Sequence, residues 1–219
     1  MKKSILRIPL VYVALIGFFT ILGVMSLSSS PKAFAASEGD EICAGSPIPN
    51  GWVVSNLKAT SKCAGSPTYG QNANTEVIRS GKNDQEMCLG FSSIPSGLVV
   101  SNLKVTSACA GDPVTYGQNV NTQVLHNPGE GQEMCTGTSS VPSNYVISEY
   151  KTTSACAGAP TTVGTQNTAI IRTAKNGQEV CNGYASLPAG YTITARKVTS
   201  ACAGAPTDAG GVNTVVIHS

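Results

Sequence analysis

Two cysteines about twenty residues apart recur four times along this chain, and no other feature restricts its folding as much. The pairs are Cys43 and Cys63, Cys88 and Cys109, Cys135 and Cys156, and Cys181 and Cys202. Each copy opens on Glu-x-Cys: Glu41-Ile42-Cys43, Glu86-Met87-Cys88, Glu133-Met134-Cys135 and Glu179-Val180-Cys181. A proline follows at 49, 95, 142 and 188, then a bulky residue at Trp52, Leu98, Tyr145 and Tyr191. A lysine recurs at 58, 104, 151 and 197, and Cys-Ala-Gly at each second cysteine. Asn-Thr closes each copy at 74–75, 121–122, 167–168 and 213–214. First cysteines lie 45, 47 and 46 residues apart, so the register holds across the repeats.

Counting copies from Glu41 to Ser219 gives four whole repeats at 41–85, 86–132, 133–178 and 179–219, each with two cysteines. The Gly/Asn-rich junctions between them read as turns or short linkers. Within a copy the texture is β. Trp52-Val53-Val54-Ser55 and its counterparts are aromatic and β-branched and follow a Pro-x-Gly or Pro-Ser-Asn turn. Thr75-Glu76-Val77-Ile78 and its counterparts form a second strand, and the stretch around each first cysteine a third. Past Ala36 there is no Gly-free window with an i, i+3, i+4 apolar stripe. The expected fold is all-β: four tandem, disulfide-stapled β repeats of about three short strands each, behind a signal peptide. Whether the repeats stack or hang as beads is open at this level.

Residues 1–35 carry the leader. Lys2, Lys3 and Arg7 precede an uncharged apolar run, Val11 to Leu27, and Ala33-Phe34-Ala35 supplies an A-x-A cleavage site before Ala36. An uncleaved anchor is the competing reading, since such a run nearly spans a bilayer. The cleavage site and the polar chain beyond it favour removal, and with it no stable membrane insertion. The plain Lys-Lys leader reads as bacterial export to a secreted or cell-surface location. Cleavage takes four of the 14 basic side chains and none of the 12 acidic ones, leaving a net charge of −2. Nucleic acid, which demands a dense field of Lys and Arg, is excluded as a partner.

Eight cysteines in an exported chain imply disulfides. Pairing within repeats joins Cys43 to Cys63, Cys88 to Cys109, Cys135 to Cys156 and Cys181 to Cys202 and leaves nothing over. Pairing across junctions strands Cys43 and Cys202, so the first scheme is expected. A repeat this small buries too little to fold on burial alone, and closing such a loop contributes roughly 3 kcal/mol. The cysteines are too far apart for structural zinc, and no C-x-x-C redox or haem motif occurs. No metal or other cofactor is expected.

Nor does the sequence carry a catalytic constellation. Gly-x-Ser-x-Gly, P-loop and His-Glu-x-x-His patterns are absent. His126 and His218 alternate with Arg79 and Arg172 at one place, as exposed cations that could meet the glutamate opening the next copy. Trp52, Leu98, Tyr145 and Tyr191 share a slot that accepts leucine, which suits an apolar anchor better than a sugar platform. The candidate ligand loops are those after the second cysteine, with Tyr69, Gln71, Asn72, Tyr116, Gln118 and Asn119. The chain is therefore expected to be a secreted, non-enzymatic repeat protein that meets an extracellular protein or glycan by avidity. Competing readings are a bacteriocin, toxin or protease inhibitor, and a self-assembling subunit of a fibre or coat.

Overall fold

The computed structural model describes residues 35–112, 115–160, 163–182, 186–208 and 210–219. The leader reading therefore falls, apart from Ala35, outside the described residues.

The repeats form four three-stranded antiparallel sheets. The first contains β1 (Glu41–Cys43), β2 (Trp52–Lys58) and β3 (Thr75–Ser80), and the second β4 (Glu86–Cys88), β5 (Val99–Lys104) and β6 (Thr122–His126). The third contains β7 (Gln132–Cys135), β8 (Tyr145–Lys151) and β9 (Thr168–Thr173), and the fourth β10 (Gln178–Cys181), β11 (Thr192–Lys197) and β12 (Thr214–His218). In each, the last strand lies between the other two, in the order β1-β3-β2 and its counterparts. The first two strands of a copy thus run parallel to each other and never pair. The third strand, returning between them, supplies the ladder partners for both.

One residue bulges out of the long strand in every sheet: Ser55, Ser101, Ser148 or Thr194. The hydroxyls of Ser55, Ser148 and Thr194 donate to the carbonyls of Val77, Ile170 and Val216 at 3.2–3.3 Å. The extra residue shifts the alternation of faces. Val54 and Leu57 consequently share one face although three positions apart, opposite Ile78 and Glu76.

All four disulfides close within repeats, with Cα–Cα distances of 5.1–5.3 Å. The linking residues form short turns, including 3-10 turns at Ser61–Cys63 and Ser107–Cys109. Each Asn-Thr pair anchors the cross-linked loop. Asn121 donates to the carbonyls of Thr106 and Cys109 at 3.0 and 3.1 Å, and its Oδ1 accepts from the Thr106 amide at 2.9 Å. Asn74, Asn167 and Asn213 each accept from the amide of the corresponding Thr60, Thr153 and Thr199.

The sheets stack into one compact body spanning Ala35–Ser219. Val54, Leu57 and Ile78 of the first sheet pack on Cys88 and Cys109, the disulfide of the second. Val100, Leu103 and Leu125 cover Cys135 and Cys156 in the same way. Ile147, Tyr150 and Ile171 cover Cys181 and Cys202. Those six cysteines are at most 4% exposed, so each cross-link doubles as core. Backbone bonds tie the layers as well: the Leu103 amide donates to the Ala155 carbonyl at 2.7 Å, and the Tyr150 amide to Ala201 at 2.8 Å.

Candidate ligand grooves

The ligand loops expected from sequence divide in two. Gln71, Asn72, Gln118 and Asn119 are exposed, on turns with φ between 58° and 62°. Tyr69 and Tyr116 are half-buried and belong to the packing between sheets. The Tyr69 ring meets Phe91 of the next repeat edge-on, with centroids 4.7 Å apart, and its hydroxyl donates to Glu76 Oε1 at 2.7 Å. Burial beside that carboxylate pushes the Tyr69 phenol up to about 12. Tyr116 accepts from Gln123 Nε2 at 3.3 Å, and burial raises its phenol too. The tyrosines are drawn inward because their loops approach the next copy: the Gly70 amide donates to the Gly111 carbonyl at 2.9 Å. Where Val163 replaces the tyrosine, Ala169 replaces its polar partner.

The lysine and cation series also find partners. Lys58, Lys104, Lys151 and Lys197 each pair with the glutamate opening their own repeat, Glu41, Glu86, Glu133 and Glu179. Those glutamates are thus engaged, and the cations at strand ends turn elsewhere. His126 lies 2.8 Å from Asp84, and Arg172 3.4 Å from Glu130, both acids in the turn before their own repeat's first strand. Among the described residues no ion pair joins these cations to the glutamate that opens the next repeat. Among the described residues there is no group of three or more His, Cys, Asp and Glu able to hold a metal ion.

A repeated concavity lies at the other end of the long strands, a feature that sequence reasoning missed. Each proline opens a turn closed by a backbone bond to the bulky residue three positions on: Trp52 to Pro49 at 3.0 Å, Leu98 to Pro95 at 3.2 Å, Tyr145 to Pro142 at 3.1 Å. The third turn residue has positive φ, and Gly51, Gly97 and Asn144 fill it because glycine and asparagine tolerate that region. Between each turn and the next repeat's loop runs a groove. The first is walled by Pro49, Asn50 and Trp52 against Phe91, Ser92 and Ser93, with a volume of 290 Å³. The second sets Pro95, Ser96 and Leu98 against Thr138, Ser139 and Ser140, with 280 Å³. The third sets Pro142, Asn144 and Tyr145 against Ser186, Leu187 and Pro188, with 350 Å³.

Among the described residues no Asp, Glu, Lys, Arg or His lines any of the three. Trp52, Leu98 and Tyr145 are partly buried against the core clusters and present their remaining surface to the grooves. The fully buried anchors are their neighbours Val53, Val99 and Val146. Serine hydroxyls fix the far wall: Ser92 Oγ accepts from the Val54 amide at 3.3 Å and Ser139 Oγ from Val100 at 3.4 Å. Each groove therefore combines one apolar wall and a positive-φ turn with far-side hydroxyls, from Ser92 and Ser93 in the first, Thr138, Ser139 and Ser140 in the second, and Ser186 beside Leu187 and Pro188 in the third. No protein-family model, curated protein or solved structure matches the chain.

Proposed function

We propose that the chain is an exported, non-enzymatic binding protein that holds an extended extracellular polymer across its grooves. The observation that carries this reading is the threefold recurrence of one uncharged groove on one edge of a single stack. Packed sheets lie about 10 Å apart, so a polymer with a repeat near that spacing would meet equivalent walls in succession. An apolar face beside hydroxyl and amide groups, without charge, suits the sugar rings of a neutral glycan. Four closed disulfides support residence in an oxidising, extracellular compartment.

The test is binding of the mature protein to neutral and to anionic polysaccharides. Variants carry Ser93→Asp, Ser140→Asp or Ser186→Asp, singly and together. Neutral polymer should bind, single variants should weaken it, and the triple variant should lose on the order of 10²–10⁴-fold as avidity collapses. Capture only of anionic polymer, or a triple variant no weaker than a single one, contradicts the reading.

A further inference from the structure

Two faces of the stack have no neighbouring sheet among the described residues: the disulfide face of the first repeat and the apolar face of the fourth. They are counterparts of the two halves of every internal interface. At the two later interfaces the residue in one slot, Leu103 or Tyr150, donates its amide to the residue in a second slot, Ala155 or Ala201. The fourth repeat carries Arg196 in the first slot, where earlier copies have Leu57, Leu103 and Tyr150. The first repeat carries Lys62 in the second slot, where later copies have Ala108, Ala155 and Ala201.

From these two departures we infer that the outer faces are a matched stacking surface for a second copy of this chain, held off by charge. Head-to-tail docking would bring Arg196 of one molecule against Lys62 of the next, at the place where leucine meets alanine inside the stack. Two cations would then be desolvated side by side. Arg196 is instead exposed and bonded to Asp208 Oδ2 at 2.7 Å, and Lys62 is exposed. Asp208 is held by the Gly210 and Val212 amides at 3.1 and 3.2 Å, so the ion pair is fixed on that face and would have to be buried with it. A non-closing head-to-tail contact generates filaments, and these residues keep the molecule out of one. The inference does not depend on the groove reading.

Sedimentation velocity of the mature protein over a wide concentration range tests it. Wild type should sediment as a single monomeric species. Lys62→Ala/Arg196→Leu, which restores the internal residues, should at least double its average mass and grow with concentration. Lys62→Glu alone, which sets opposite charges face to face, should associate at low salt and dissociate as salt screens the contact. End-to-end association by wild type, or monomeric behaviour of both variants with unchanged circular dichroism, overturns the inference.

Discussion

The side-chain amide of Asn121 reaches across the second repeat to the carbonyl of Cys109, 3.1 Å away. That bond, with two more to Thr106, fastens the cross-linked loop to the strand that closes the sheet. Asn121 is 7% exposed, so its partners have little water to fall back on. Asn121→Ala should destabilise the protein by about 1–3 kcal/mol, the cost of stranding buried backbone groups. Thermal unfolding should show a drop of several degrees. Asn121→Asp, which keeps the acceptor but loses the donor, should recover only part of it.

The cross-links are not equivalent. Cys135 and Cys156 are both fully buried beneath the second sheet, whereas in the first repeat Cys63 is buried but Cys43 is partly exposed. Replacing a buried pair by alanine removes both a loop constraint worth about 2–5 kcal/mol and apolar contacts in the core. Cys135→Ala/Cys156→Ala should therefore cost more in urea unfolding than Cys43→Ala/Cys63→Ala, by about 1–2 kcal/mol.

Glu76 should give the protein an unusual pH response. It is 2% exposed, and its Oε2 has no hydrogen-bond partner among the described residues. Burial raises its pKa above 4.5 despite the Tyr69 hydroxyl bond. The folded state then binds this proton more tightly than the unfolded chain. Stability accordingly rises as pH falls through the raised value toward 4.5. The exposed carboxylates of Glu38, Glu41, Glu130 and Asp208 are lowered, led by bonds from Ser80, Lys58, Thr173 and Gly210 respectively. Their contribution is present above their ordinary values and is lost as pH falls through the lowered ones. Melting temperatures measured from pH 8 to pH 3 should thus rise and then fall. Glu76→Gln, which copies Gln123 of the second repeat, should flatten the rise and stabilise the protein at pH 7.

Gly158 fixes how closely the second and third repeats approach. Its φ is +85°, and a Cβ there would sit 2.0 Å from the Gly117 carbonyl oxygen. Gly158→Ala combines left-handed strain with a backbone clash, and should cost about 2 kcal/mol or more. Gly177 also has positive φ, +76°, but open space around its Cβ position, so Gly177→Ala should cost only about 1–2 kcal/mol. Chemical denaturation of the two variants separates strain from clash.

Much of the fold was legible because its determinants repeat. Cys43 and Cys63 could be paired from spacing, and the β-branched run at Val53-Val54 marked its strand. The stacking was not legible, since nothing local says that Leu57 will cover the Cys88–Cys109 disulfide of the next repeat. Asn74 and Thr75 were visible as a recurring pair, but their role needs Thr60, distant in sequence and brought close by the loop. The same holds for Tyr69, whose loop reads as polar surface until Phe91 packs against it. The grooves were hidden for the same reason: each takes one wall from one repeat and the other from the next.

Mass-spectrometric mapping of non-reduced peptides from natively produced protein tests the central claim most directly. The account requires Cys43–Cys63, Cys88–Cys109, Cys135–Cys156 and Cys181–Cys202 linkages with no free thiol, in a chain beginning at Ala36. Junction-crossing linkages such as Cys63–Cys88, or reduced cysteines behind an intact leader, would contradict it.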